Sequence, residues 1–237
     1  MRRDRFYRPL LWICLGVLAC SALPGPYARL SWLGLVVLSA LLMVGLGQRP
    51  PWARRRDRRI YLASGSASTV ALLIWVFHPR SLLITGLPLL VLFMGFIGWS
   101  MVRLIRRLAN DSPTEVDLVA GGLGGYLLLG IHGGLLLTVI DSLVPGSFRD
   151  TATGALVNLP PMGSALVATS AWQTNVHRIT YFAFVSLTTV GYGDIAPIKP
   201  LAQLASVGLS VVGPLYVAVV IGVVVSRSMA NNRADPP

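Results

Sequence analysis

Thr188-Thr189-Val190-Gly191-Tyr192-Gly193-Asp194 is the stretch on which the reading of this chain turns. It lies between a short apolar run, residues 179–187, and a long one, residues 201–226. Glycines at 191 and 193 permit φ > 0, so successive carbonyls can turn the same way instead of alternating. Irregular backbone at membrane depth is tolerated only where it lines a cavity. A loop of this kind would present the carbonyls of Thr189, Val190, Gly191 and Tyr192, with the Thr189 hydroxyl beneath them. A Gly-rich turn between two buried helices is the plainer reading of a bare G-x-G. Seven residues matched together between two apolar helices speak against it.

Composition places the stretch in a membrane protein. The chain is 54% hydrophobic and 12% charged with mean hydropathy +0.68, where a soluble domain carries about 25% charged residues. A net charge of +11 would suggest nucleic acid in a soluble chain. Here the arginines fall in short runs between apolar segments, the pattern of cytoplasmic loops. Cys14 and Cys20 lie six residues apart in the first apolar segment. On a helix they face different directions, so they read as apolar filler rather than a local disulfide.

Six spans are expected along the chain. Residues 10–23 form the first, although a basic start, a short apolar core and the small residues at 19–22 also fit a cleaved signal peptide. Pro24-Gly25-Pro26 makes a turn, and residues 30–47 form the second span. A loop at 48–59 holds six arginines, so it is expected in the cytoplasm. Residues 60–77 and 81–102 form the third and fourth spans, separated by His78-Pro79-Arg80. Arg103, Arg106 and Arg107 read as anchors at the inner end of the fourth. Ser112 as N-cap, Pro113 and Glu115 then predict the start of a fifth span running to about 140. Two domains are expected to meet there: a four-helix peripheral domain over 1–110 and a pore domain over 111–237.

The fifth span is rich in glycine, which lets helices approach closely in lipid. Residues 141–175 read as a polar external segment interrupted by Gly154 and Pro160-Pro161. A short helix over 176–188, capped by Thr174 or Asn175, is too short to cross and is expected to be re-entrant. Residues 201–226 make the sixth span, and the tail after Ser226 is too short to hold a nucleotide- or calcium-binding domain. Fifteen of the twenty Lys and Arg residues fall on the side assigned to the cytoplasm. That bias predicts a multi-pass protein of the plasma (inner) membrane with both termini cytoplasmic.

TTVGYGD, with a pore helix before it and an inner helix after, resembles the signature of tetrameric potassium channels. The likeness is specific over about 180–226 and only architectural over the first four spans; the compact loops resemble small prokaryotic channels. It implies an all-α membrane fold with six spans, a re-entrant pore helix and a filter loop in a homotetrameric pore. Thr189, Val190, Gly191, Tyr192 and Gly193 would form the selectivity filter, with K⁺ held at Thr189, Val190, Gly191 and Tyr192. Rings of such carbonyls can replace the hydration shell of K⁺. Thr188, Tyr181 and Val185 would support the filter, and Asp194 would stand at its outer mouth. Gly213, nineteen residues beyond Asp194, matches the inner-helix hinge, and Pro214 beside it is expected to kink the helix.

Two positions depart from the family pattern. Val185 stands where some channels carry a glutamate that pairs with the filter aspartate. Tyr181 and Phe182 stand where many carry two tryptophans; tyrosine can still donate a hydrogen bond and phenylalanine cannot. The fourth span lacks an arginine repeat, so a conventional voltage sensor is not expected. His132 reads as a packing histidine bonded to a carbonyl, or as a proton sensor; His177 reads as a sensor of external pH, or as a residue that simply sits at the interface. The expected activity is passive K⁺ conduction, with no catalytic residues and no cofactor besides the permeant ion. Its expected partners are K⁺, the bilayer and three further copies of itself. A non-selective cation channel, a K⁺-uptake transporter subunit and a non-conducting scaffold are the competing readings.

Overall fold

A computed structural model describes residues 6–21, 23, 29–47, 55–77, 86–110, 114–157 and 170–234. In chain order the elements are α1 (Tyr7–Ser21), α2 (Arg29–Leu46), α3 (Arg55–Phe77), α4 (Gly86–Asn110), α5 (Glu115–Leu143), β1 (Phe148–Asp150), α6 (Ser170–Leu187), β2 (Ile195–Pro197) and α7 (Pro200–Ala234). Three helices among the described residues are long and apolar enough to cross a membrane: Pro88–Asn110, Val116–Leu143 and Pro200–Val223. Tyr7–Ser21 and Leu30–Leu46 are apolar but shorter. The turns expected at 24–26 and 78–80, and the pair Pro160-Pro161, lie outside the described residues.

The helices close around α5. α1 packs on α2, α2 on α3 and α3 on α4, while α1 and α4 both return to α5. α6 and α7 pack on α5 as well. The glycines of α5 make this crowding possible. A Cβ at Gly121 would stand 2.7 Å from Tyr7 and Leu108, and one at Gly130 would stand 2.2 Å from the Phe184 ring. At Gly125 it would meet the Tyr216 hydroxyl at 2.0 Å. Close backbone approach, as the small residues suggested, seats four helices on one.

Helix ends differ from expectation in instructive ways. The cap of α5 is Thr114, not Ser112, which with Pro113 lies outside the described residues. Thr114 is extended (φ −61°, ψ 157°), and its hydroxyl accepts from the Asp117 N–H at 3.3 Å. The same hydroxyl donates to the Asp117 carboxylate at 2.7 Å, so the N-cap forms two residues later than expected. Asp117 also pairs with Arg8 of α1 at 2.9 Å, tying the first helix to the fifth. α6 begins at Ser170, so Thr174 and Asn175 lie inside it rather than capping it. α7 runs on to Ala234, past the polar residues that were expected to end it.

Arg103 and Arg107 are not solvent-facing anchors; both are buried. The last carbonyls of a helix lack intrahelical donors, and basic side chains near a C-terminus satisfy them. Arg103 donates to the Leu46 carbonyl at 3.1 Å and the Asp57 carbonyl at 3.3 Å, and Arg107 to the Gly45 carbonyl at 2.7 Å. Arg58 adds a bond to the Gly47 carbonyl at 3.0 Å. The Arg103 guanidinium also lies 4.1 Å from the Tyr61 ring centroid. Tyr61 bridges Leu42 and Ser100 through its hydroxyl. The end of α2 is therefore closed by side chains from α3 and α4.

Removing that closure should be measurable. Arg103→Met leaves the Leu46 carbonyl buried without this donor and is expected to lower the unfolding free energy by roughly 1–3 kcal/mol. Arg106→Met, at an exposed position, should change it little. Unfolding of the purified protein in detergent, followed by circular dichroism, compares the two.

Candidate functional site

A second cluster of buried side chains carries the site. Phe148, Val157, Ile179, Phe182, Ala183 and Ile195 pack with Leu137, Ile140, Ala202 and Leu209. The cluster joins α5, the strands, α6 and α7 beneath one exposed loop, residues 188–194. β1 and β2 pair antiparallel, with Phe148 opposite Pro197 and Asp150 opposite Ile195. This pairing was not expected from the sequence. It places part of the 141–175 segment beside the loop's outer end, as an ordered strap.

The loop starts where α6 stops. The Val185 carbonyl accepts from Val190 N–H at 3.1 Å and from Gly191 N–H at 3.4 Å, and Ser186 accepts from Thr189 N–H at 3.1 Å. The Thr188 hydroxyl donates back to the Phe184 carbonyl at 2.8 Å. Val185, read as a place without a polar side chain, thus serves the loop through its backbone. Beyond it φ is positive at Thr189 (58°), Gly191 (59°) and Gly193 (76°), and at no other residue of the loop. Alternation of right- and left-handed residues turns successive carbonyls toward one side. The glycines fit that need, as expected. Thr189 does not: a β-branched residue at positive φ is an outlier of the kind found at functional sites. Its hydroxyl donates to the Thr188 carbonyl at 2.7 Å.

At the outer end Thr151 holds the loop twice. Thr151 N–H donates to the Asp194 carbonyl at 2.9 Å, and the Thr151 hydroxyl to the Gly193 carbonyl at 2.6 Å. Tyr181 of α6 stands near enough to the Asp194 carboxylate to interact with it electrostatically, a polar neighbour that Val185 cannot supply. Asp150, next to Thr151, accepts from the N–H groups of Ala152 at 3.0 Å and Thr153 at 2.9 Å and pairs with Arg178 of α6. The Thr153 N–H, with its hydroxyl and Arg178 adding to it, holds the Asp150 carboxyl below the usual carboxylate range. Sequence reading passed over Asp150, Thr151 and Arg178. An Asp followed four residues on by Gly signals a turn, but not which segment that turn meets.

Gly213 lies far from the outer end, against the floor. A Cβ there would stand 1.9 Å from the Leu187 carbonyl oxygen, the last of α6. Tyr126 of α5 donates to the same oxygen at 3.3 Å. Pro214 sits inside α7, which continues through it. The two histidines lie elsewhere. The His132 ring faces Gly98 of α4, and its Nδ1 is buried without a hydrogen-bond partner, so the expected carbonyl bond is not made at that atom. His177 lines a cleft between α6 and the first two helices, and its Nδ1 is likewise unpartnered.

Two outcomes follow. Gly213→Ala forces the inner helix off the end of α6 and is expected to cost about 1–3 kcal/mol, as overpacking does; unfolding in detergent reads it. Because the folded-state pKa of Asp150 is depressed, its contribution is present above the ordinary carboxylate pKa. It is lost as pH falls through the depressed value. The protection of the Thr153 amide against exchange, taken relative to its intrinsic rate at each pH, should therefore hold through mild acid and fall below it, whereas Asp150→Asn should show little protection throughout.

Residues 153–229 match the family model described as an ion channel. The match takes in the end of the strap's turn, α6, β2, the loop and most of α7, about a third of the chain. No curated protein and no solved structure matches the chain. α6, the loop at 188–194 and most of α7 thus lie within the segment similar to ion channels, which supports an ion-channel family, whereas Asp150 and Thr151 stand just before it.

Proposed function

We propose that this protein is a potassium-selective channel that conducts K⁺ passively through a pore built by four copies of the chain. The observation that carries the reading is the alternating backbone of 189–193, held at both ends and exposed along its whole length in a single chain. One loop cannot encircle an ion, whereas four around an axis stack rings of carbonyls from Thr189, Val190, Gly191 and Tyr192 that replace water around K⁺. The carboxyl end of α6 carries negative helix-dipole charge toward the floor of that path, which favours a cation there. Asp194 at the outer mouth adds a negative charge of its own.

α7 would line the path below the filter. It is the least covered of the three long apolar helices, 22% buried over its apolar window against 72% for α5. Leu204 is 70% exposed, as suits a helix whose apolar faces meet other copies and lipid. The shorter helices α1 and α2, with α3 and α4, would complete four peripheral spans over residues 1–110, with α5, α6 and α7 forming the pore unit over 111–237. The arginine distribution supports cytoplasmic termini in a plasma (inner) membrane. K⁺ is cargo in this reading, and no cofactor takes part.

Flux through liposomes reconstituted with the purified protein tests it, under a K⁺ gradient and then a Na⁺ gradient. A Cβ at Gly191 meets nothing within 4 Å, so Gly191→Ala acts through its positive φ alone, at roughly 1–2 kcal/mol per chain. K⁺ flux many-fold above Na⁺ flux, lost in Gly191→Ala, is expected. Equal fluxes of the two ions would point instead to a non-selective cation channel.

A further inference from the structure

The filter reading accounts for residues 188–194 and leaves the strap at 148–157 without a role. The strap is built with care. Val157 N–H donates to the Phe148 carbonyl and Asp150 N–H to the Ala155 carbonyl, both at 2.9 Å. Leu156 bridges Arg149, so β1 is flanked by chain on both sides. Phe148 and Val157 are fully buried beneath α6. Gly154 has φ +70°, closing the turn, and its N–H donates to the Asp150 carbonyl at 2.9 Å. What this frame holds out toward the loop is Thr151.

From these contacts we infer that Thr151 is a positioning residue for the filter, fixing the peptide plane between Gly193 and Asp194 so that the carbonyls before it face the ion path. The inference rests on the potassium-channel reading and deepens it. Gly193 needs such a hold for a physical reason. It has no side chain, its φ is +76°, and a Cβ built there meets nothing within 4 Å, so no packing in the chain sets its conformation. Glycine turns easily about both of its backbone bonds, so an unheld Gly193 would leave its own carbonyl and the adjoining Tyr192 peptide free to reorient. Two bonds from one residue prevent this: the Thr151 hydroxyl holds the Gly193 carbonyl at 2.6 Å, and the Thr151 amide holds the Asp194 carbonyl at 2.9 Å.

The hold returns to α6. Arg178, two turns before Val185, pairs with Asp150, and Asp150 fixes the turn that carries Thr151. Val185 holds the inner end of the loop through its carbonyl. One helix therefore sets both ends of the filter, directly at the inner end and through the strap at the outer end.

Thr151→Val tests this, because it keeps the shape and the backbone N–H and removes only the hydroxyl. Thr151→Ser keeps the hydroxyl. K⁺ and Na⁺ are titrated calorimetrically into the full-length protein in detergent, a readout that does not need an open gate. The wild type is expected to bind K⁺ in preference to Na⁺. Thr151→Val should bind K⁺ roughly fivefold or more weakly, the scale of one lost hydrogen bond per chain, with Na⁺ binding little changed. Thr151→Ser should match the wild type. A merely structural strap would lower thermal stability without moving the K⁺ to Na⁺ ratio. An unchanged ratio in Thr151→Val, with a K⁺-preferring wild type, overturns the role of Thr151 and leaves the channel reading standing. A wild type without K⁺ preference overturns both. Thr151→Ala removes the same hydroxyl and decides the question if the valine variant does not assemble.

Discussion

A backbone that alternates between right- and left-handed residues cannot hold itself. Each left-handed residue between Thr189 and Gly193 gives up the regular bonding of helix or strand, and two of the three are glycines with the widest freedom to relax. In the third, Thr189, the conformation is strained, and strain of this kind persists only where the surroundings over-determine it. The rest of the site follows from that constraint. Val185 and Ser186 fix the loop at its start, and Thr151 fixes it at its finish. The second buried cluster keeps the two sets of contacts at a constant separation.

That cluster in turn needs α5. α6 and α7 contact α5 where it lacks side chains: Phe184 and Thr180 over Gly130 and Gly134, Leu209 over Gly133, Tyr216 over Gly125. Larger residues on α5 would lift α6 away from the strap and the loop together. The peripheral helices brace α5 from its other side through Tyr7 and Leu108 at Gly121 and the Arg8–Asp117 pair. With the end of α2 closed by Arg103 and Arg107, the first four helices form a connected support rather than a loose annex.

The parts of this arrangement legible in the sequence were those with a local cause. Apolar runs bounded by arginines and prolines marked the helices, and glycines at 191 and 193 marked the left-handed positions. The glycines of α5 announced close packing, though not against which partners. What stayed hidden was set by tertiary contact. Nothing near Phe148 reveals that it pairs with Pro197, because three-residue strands carry no period of their own. Arg103 and Arg107 looked like surface charge because the carbonyls they satisfy belong to another helix, some sixty residues earlier. Ser112 looked like a cap because Pro113 and Glu115 follow it at capping spacing, and the cap formed instead at Thr114, whose hydroxyl meets Asp117. The left-handed Thr189 contradicts its own propensity, so only the contacts around it could disclose it.

The place of Gly213 shows why a motif position and a mechanical role need separate grounds. Its spacing from Asp194 matches a hinge, and Pro214 beside it deprives Ser210 of its helical donor, both of which suit bending. Yet the glycine is also where α7 presses on the last carbonyl of α6, at a distance no Cβ tolerates. Below it, Tyr216 donates to the Gly122 carbonyl at 3.0 Å and stacks near Tyr126, which itself bonds the Leu187 carbonyl. α7 thus meets both α6 and α5 around the proline, by close packing at Gly213 and by a hydrogen bond at Tyr216. In this conformation Gly213 acts as a seat. Bending at Pro214 would have to break the Tyr216 contact or part Gly213 from the Leu187 carbonyl, the same oxygen from which the 188–194 loop departs.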